Sequence, residues 1–455
     1  MAVRQVVAQV VGAVLSSDDH LIVFARIPRV GTNKTRLIPA LGVENATRVY
    51  RHLVERTLGQ VRQFANGQAC DVTLCFTGGT VEEAQAEFGA ELACLEQVGA
   101  TLGDRLQQAT KSSFTAGAKR VVVIGTDCPG LTALDLKRAF EQLATHDVVI
   151  GPAHDGGYYL IGLRVDQAAL FADVDWSTSI VFQQTMSKAR AIGSSVYVLE
   201  KKPDVDYPED LLPLRRNSKL DSFPLQTQNG KLSVIIPTFN EELNLPATLQ
   251  SVGVPGADLE IIVVDAGSAD QTLAVAQQFG CHAFVGNPGR ANQMNAGAAI
   301  ASGEYLLFLH ADTRLPAEYR QELQQVLGSA VACGAFPLKI DAPGISLRMI
   351  ESGVAFRSRV LQSPYGDQAL YFRAADFYEH HGFKPMAIME DYELVARMRK
   401  TGRIGLAKTP VQTSARRWIK KGILRTTIVN QLCLIAFWFG FSDKTIAKLY
   451  RGRRK

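Results

Sequence analysis

The residues of this chain best suited to chemistry are acids that follow short apolar runs. Residues 305–309 lead into His310-Ala311-Asp312-Thr313. A carboxylate leaving a buried strand can hold a hard divalent cation against a diphosphate, because Mg²⁺ takes one or two carboxylates and fills its shell with phosphate oxygens. Residues 232–236 lead into Pro237-Thr238-Phe239-Asn240-Glu241-Glu242, the place where open α/β sheets bind ligands. Residues 260–264 end at Asp265, followed by Ala266-Gly267-Ser268-Ala269-Asp270. Asp265 can accept hydrogen bonds from a base or a ribose there, although Asp and Gly after a strand are also ordinary turn chemistry. Gly289-Arg290-Ala291-Asn292-Gln293 places a cation and amides at a helix start, facing phosphate. Met389-Glu390-Asp391-Tyr392-Glu393 opens a helix with an acidic pair, which either supplies a base or complements the helix dipole.

The first half carries a second set. Residues 21–24 lead into a glycine-containing loop with Arg29, Lys34 and Arg36, which can cradle phosphates through amides and charge. It lacks the G-x-x-x-x-G-K-[ST] spacing of a Walker A loop. Residues 121–124 end in Gly125-Thr126-Asp127, and His154-Asp155-Gly156-Gly157 and Asp204-Val205-Asp206 add further acids. Any one of these is a turn residue. Asp127, Asp155 and Asp206 together suggest a site for metal and phosphate.

Strands must present these acids. The apolar runs 21–24, 72–76, 121–124 and 148–150, then 232–236, 260–264, 283–285 and 305–309, alternate with helix-like stretches such as 46–64 and 245–252. That alternation predicts an α/β chain of two Rossmann-like, doubly wound parallel sheets. The polar, aperiodic stretch 216–230 reads as a linker between domains at 1–215 and 231–455. A chain of 455 residues suits two cores of roughly 200 residues each.

Composition narrows the class. With 47% hydrophobic and 20% charged residues the chain is folded, not disordered or fibrous. A net charge of +5 suits an enzyme of anionic nucleotides and is too weak to argue for nucleic acid. Seven scattered cysteines without C-x-x-C spacing argue against structural zinc and disulfides, and place the chain in a reducing cytoplasm. The apolar stretch 6–15 lacks a small-residue cleavage site and reads as an added helix or strand more readily than a signal peptide. The stretch 426–442 is uncharged, yet its Thr, Asn and Gln make it a poor bilayer span. Arg425 precedes it, and Lys444, Lys448, Arg451, Arg453, Arg454 and Lys455 follow. It reads as a helix lying on an anionic membrane surface or as a buried closing helix with a solvated tail.

The ordered blocks PTFNEE, VVDAGSAD, GRANQMNAGA, ASGEYLLFLHADT, SPYGDQAL, MEDYELVARM and SARRW resemble glycosyltransferase family 2. Within it they are similar to the bacterial subgroup named for a proposed part in arsenosugar biosynthesis. The resemblance covers nearly all of residues 231–450 and implies a GT-A fold, inversion, a nucleotide-sugar donor (most often UDP-linked) and a divalent metal, Mg²⁺ or Mn²⁺. It also implies that Glu241 and Asp265 contact the nucleoside, that Asp312 holds the metal and that Asp391, beside Glu390, is the base. Arg416, Arg417 and Trp418 match the motif that closes over donor or product. Two positions depart from the pattern. His310-Ala311-Asp312 replaces D-x-D, leaving one carboxylate and making His310 a candidate ligand, and Ala266 stands where an acid or glycine is usual.

In the first half, LGDRL, GTDCPG, HDGGYY and DWST resemble a second bacterial family, a nucleotidyltransferase-like partner of the arsenosugar-type enzymes. Its wider relatives are the guanylyltransferases of molybdenum cofactor and phospholactate. Over residues 21–211 that resemblance implies a nucleotide-binding fold in which Asp127 holds Mg²⁺ while Lys34 and Arg36 meet phosphates. Three readings result. One is an inverting glycosyltransferase fused to a nucleotide-binding, nucleotidyl-transferring domain, with a small-molecule or lipid acceptor. A second is a peripheral membrane enzyme that glycosylates a lipid or carotenoid. In the third, the first domain is a non-catalytic nucleotide-binding scaffold.

Overall fold

A computed structural model describes residues 15–216, 225–328 and 330–451. Of the stretch 6–15 only Leu15 falls within them, and Arg453, Arg454 and Lys455 lie outside.

The first unit is built on β1 (Asp19–Arg26), β2 (Asp71–Thr77), β3 (Ala93–Glu96), β4 (Arg120–Ile124), β5 (Val148–Pro152), β6 (Tyr158–Leu163) and β7 (Val196–Val198). Their order in the sheet is β3-β2-β1-β4-β6-β5-β7. The apolar runs are continuous because both sheet faces are covered. Leu21, Val23 and Ala25 point into one core, while Ile22 and Cys75 point into the other. Three helices of this unit start on a threonine capping box, at Thr80, Thr101 and Thr132, which satisfies otherwise unpaired N–H groups.

The second unit has β8 (Gln228–Thr238), β9 (Leu259–Asp265), β10 (His282–Val285), β11 (Gly303–Phe308), β12 (Thr313–Arg314), β13 (Val331–Ala335), β14 (Leu338–Asp341), β15 (Tyr371–Arg373), β16 (Arg403–Leu406) and β17 (Val411–Ser414). Seven form a sheet in the order β10-β9-β8-β11-β15-β13-β16, and β12-β17-β14 form a small one.

Both units are α/β, as expected, but the sheets are mixed and not wholly parallel. β6 runs antiparallel to β4 and β5, and β15 runs antiparallel to β11 and β13. Apolar runs report burial and not direction, so the sequence does not show the reversal. The strand that reverses occupies the same place in both sheets, so the two units share one topology.

The division between units falls between Asp206 and Tyr207, ahead of the polar stretch 216–230. Tyr207–Arg216 belongs to the second unit because Arg215 is buried there. Its guanidinium donates to the Ala301 carbonyl at 2.6 Å and the Tyr378 hydroxyl at 3.1 Å, and lies over the Tyr378 ring. An arginine ahead of a polar stretch reads as surface, which is why composition misplaces the boundary.

Candidate active site

In the second unit the acids gather where β8, β9 and β11 end. Past β8 the chain turns through Asn240 at φ 52°, a left-handed conformation that Asn tolerates. The turn is zipped to the loop after β9. Asn240 N–H donates to Ser268 Oγ (2.7 Å), Glu241 N–H to Thr272 Oγ1 (2.8 Å), and Ala269 N–H to Asn240 Oδ1 (2.9 Å). Asp265 is buried and accepts from Thr238, from Gly267 N–H and from both the N–H and hydroxyl of Ser268. Its oxygens are therefore committed to shaping this loop. Gln293, in the helix Arg290–Ile300, donates to the carbonyls of Thr238 and Val264, both at 2.8 Å, and so pins that helix to the two strand ends.

Glu241 and Asp312 are joined by one cation. Arg416 Nη2 lies 2.6 Å from Glu241 Oε1 and 3.7 Å from Asp312 Oδ2. Asp312 is held by the pairing of its carbonyl with Ser414 N–H, which also brings Arg416 near. Burial, and then the charge of Glu241, raise the Asp312 pKa. Two carboxylates in one partly desolvated place call for positive charge, so these residues fit a divalent ion. Burial, aided by Arg290, pushes His310 down to about 3, so its imidazole is neutral and able to ligate.

Asp391 is held differently. The helix Glu390–Met398 begins after Met389 at φ 74°, a strained conformation for a long side chain. Asp391 Oδ2 accepts from Gly366 N–H at 2.6 Å and Oδ1 from Tyr392 N–H at 2.7 Å. A Cβ on Gly366 would lie 2.9 Å from Asp391 Oδ2 and 3.3 Å from His310 Nε2. Glycine is thus required here, and the gap it leaves brings His310 beside Asp391. The Gly366 loop rests on Gln368, which is fully buried. Its Oε1 accepts from Arg357, Ser358 and Tyr365 N–H, and its amide donates to the Phe336 carbonyl. Glu390 is buried 3.7 Å from Arg290. Burial, and then the charge of Asp391, raise its pKa to about 7.

Trp418 lies half-buried against the core of this unit, and the Arg417 side chain falls outside the described ones. Sequence reading passed over Gly366 and Gln368, although both sit in the SPYGDQAL block, and took Gln293 for a phosphate-facing amide, whereas it is buried and donates to two strand-end carbonyls. Their work is to place backbone, and amide side chains that serve backbone leave no spacing signal.

In the first unit Asp127, after β4, pairs with Lys34 Nζ at 2.9 Å. Lys34 also reaches Asp206 at 3.3 Å, which Arg36 meets at 2.6 Å. Burial pulls the Lys34 pKa down, but Asp127 and Asp206 outweigh it and the net shift is upward. Among the described residues, the acids whose ligand atoms lie within 4.8 Å of one another are Asp155, Asp204 and Asp206. Asp127 is not in that group, and Asp204 joins in its place. Residues 204 and 206 of an extended segment share a side, and that period of two is the signal that finds Asp204.

Residues 233–388 match the family described as "Glycosyl transferase family 2". The second unit carries a family 2 glycosyltransferase domain. Its sheet, with the reversed strand fifth in the order, is of GT-A type. Residues 60–178 match the family described as "Uncharacterized protein conserved in bacteria (DUF2064)", so the chain joins that domain to the glycosyltransferase domain. A PGL/p-HBAD biosynthesis glycosyltransferase of Mycobacterium bovis is 40% identical over 92 residues, 18% of this chain. The chain spans 36% of the length of that curated relative. A candidate nucleotide-diphospho-sugar transferase from Desulfovibrio desulfuricans G20 is similar at 33% identity and TM-score 0.42, over 46% of this chain and 90% of that one. A mannosyltransferase from Pyrobaculum calidifontis, solved with GDP-Man and Mn²⁺, is similar at 17% identity and TM-score 0.37, over 53% of this chain and 77% of that one.

Proposed function

We propose that the glycosyltransferase domain moves a sugar, with inversion, from a UDP-linked donor to a hydroxyl or carboxylate acceptor. Asp391 takes the proton of an acceptor hydroxyl as that oxygen bonds the anomeric carbon and the bond to the diphosphate breaks. The observation that carries this reading is the anchoring of both Asp391 oxygens by backbone N–H groups, beside His310 at the end of β11. A base fixed in this way needs no reorganisation at the moment of transfer. Asp312, with Glu241 and His310 beside it, would hold Mg²⁺ or Mn²⁺, whose charge when bound offsets that developing on the departing diphosphate. Arg290 and Arg416 are the chain's own cations toward the same phosphates. Asp265 acts on the nucleoside indirectly, by holding the loop that faces it. Resemblance to the arsenosugar subgroup belongs to this same proposal. A donor-hydrolysis screen of the intact protein tests it, across UDP- and GDP-sugars with Mg²⁺ or Mn²⁺. Metal-dependent turnover of a UDP-sugar is expected; silence with every donor and both metals would sink it.

For the first unit we infer nucleotide binding through Lys34 and Arg36, a metal position at Asp155, Asp204 and Asp206, and nucleotidyl transfer. The clustering of those acids within reach of both cations supports this reading. If the intact protein binds nucleoside triphosphate yet releases no pyrophosphate from it with any sugar phosphate, the unit is a scaffold.

A further inference from the structure

The helix Ile423–Trp438 turns its apolar side the wrong way for a domain surrounded by water. Thr426 and Cys433 are its buried residues, two turns apart, so it spends a narrow stripe on the core. Leu424, Ile428, Leu432, Ile435 and Trp438 follow at spacings of three and four and are all exposed, Trp438 by 75%. The chain then turns through Phe439 and Phe441, also exposed, before the helix Asp443–Arg451. Helix Ile345–Val360 carries a like outward stripe of Ile345, Met349, Phe356 and Val360. A folded domain rarely leaves such stripes open unless something covers them.

Charge identifies the cover. From residue 416 to 451 the sequence has one acid, Asp443, against basic residues at 416, 417, 420, 421, 425, 444, 448 and 451. Lys420 and Arg425 lie exposed at one end of the stripe, Lys444 and Lys448 beyond the other. An uncharged stripe with aromatic rings at its tip and cations at both ends matches a bilayer interface, where rings lie at headgroup depth and lysines meet anionic lipid. Among the described residues no helix is long and apolar enough to cross a membrane.

The stripe is wired to the candidate base. Trp438 Nε1 donates to the Tyr392 hydroxyl at 2.7 Å, and Phe437 meets the Tyr392 ring edge-on. Tyr392 N–H holds Asp391. The same ring stands edge-on to Tyr365, over which Arg357 of the second striped helix lies. We propose that this face seats the glycosyltransferase domain on an anionic lipid surface, with Asp391 turned to an amphiphilic acceptor held in that surface. The acceptor half rests on the transfer reading above; the docking half does not.

The test is flotation of the intact protein with vesicles of phosphatidylcholine alone or with phosphatidylglycerol, at low and high salt, without donor or metal. Expected is flotation with the anionic vesicles only, weakened by salt. Lys444→Glu with Lys448→Glu should lower the partition at least about tenfold, given roughly 1 kcal/mol per basic residue near such a surface. Phe439→Ser with Phe441→Ser should lower it while leaving the melting temperature unchanged, since both rings are exposed. Absence of flotation, or equal binding to neutral and anionic vesicles, overturns the proposal. So does a stable dimer in light scattering that the phenylalanine variant makes monomeric without changing lipid partition. Flotation without donor turnover would keep the docking and count against the transfer reading alone.

Discussion

The two units share a topology and place an aspartate after the same strand, yet they neutralise it in opposite ways. After β4, Asp127 is met by Lys34, whose side chain is 7% exposed and is also shared with Asp206. After β11, Asp312 is met by Arg416, whose side chain is 52% exposed and bonds mainly to Glu241. The lysine comes from the loop after the first strand and is enclosed by the fold. The arginine comes from beyond the last strand and stands in water. A buried cation is part of the structure, because enclosed in the fold it depends on the carboxylates that pair with it. A solvated one can be exchanged for a metal or a diphosphate at little cost. The second difference is the acidic pair Glu390 and Asp391 on a strained helix start, which gives the glycosyltransferase domain a fixed carboxylate that suits the proposed base.

Breaking the contrast at the base gives the largest effect. Asp391→Asn keeps the side-chain shape but cannot take a proton, and should lower transfer by roughly 10²–10⁴-fold while donor binding stays within a few-fold. Asp127→Asn should leave glycosyl transfer from a supplied donor unchanged. Single-turnover assays beside donor titration check both, and retained turnover in Asp391→Asn would overturn the assignment. The cations come next. Lys34→Met should lower the stability of the first unit by about 1–3 kcal/mol, less than a fully buried pair would lose because Asp127 can rehydrate. Arg416→Met should change the second unit by less than about 1 kcal/mol. Denaturant unfolding of the intact protein followed by hydrogen exchange in each unit measures both. Equal losses would erase the distinction between an enclosed and an exchangeable cation.

Much of this was legible in the sequence where a residue's type and its strand coincide. The eight apolar runs all fall on strands, and Glu241, Asp312 and Asp391 stand out because acids after buried strands or at helix starts are conspicuous. What stayed hidden depends on partners distant in sequence. Arg215 looks solvated until Ala301 and Tyr378 are seen to enclose it. Asp127 looks like part of the acidic cluster until Asp204 is seen in its place. Asp265 looks like a nucleoside contact until its four donors are counted. Strand direction is hidden for a related reason, since β6 and β15 are as apolar as their parallel neighbours.

The last effect to seek, a net slope kept small by two opposing groups, comes from the pair that only the glycosyltransferase domain places beside its candidate base. Glu390 is raised from 4.5 to about 7, and His310 is lowered from 6.5 to about 3. Between about 4.5 and 7 the folded state holds the Glu390 proton more tightly than the unfolded chain, so this group makes stability fall as pH rises through that window. Between about 3 and 6.5 the unfolded chain holds the His310 proton more tightly, so this group makes stability rise with pH. Each slope reaches at most about 1.4 kcal/mol per pH unit, and they oppose one another where the windows overlap. The intact, metal-free protein should therefore show a shallow profile between about pH 4.5 and 6.5. Glu390→Gln should expose the rise toward about 6.5, and His310→Gln the fall toward about 7. Chemical denaturation of the three proteins across that range reads the slopes directly. Profiles that stay parallel would mean that neither group is desolvated as the geometry around Arg290 requires.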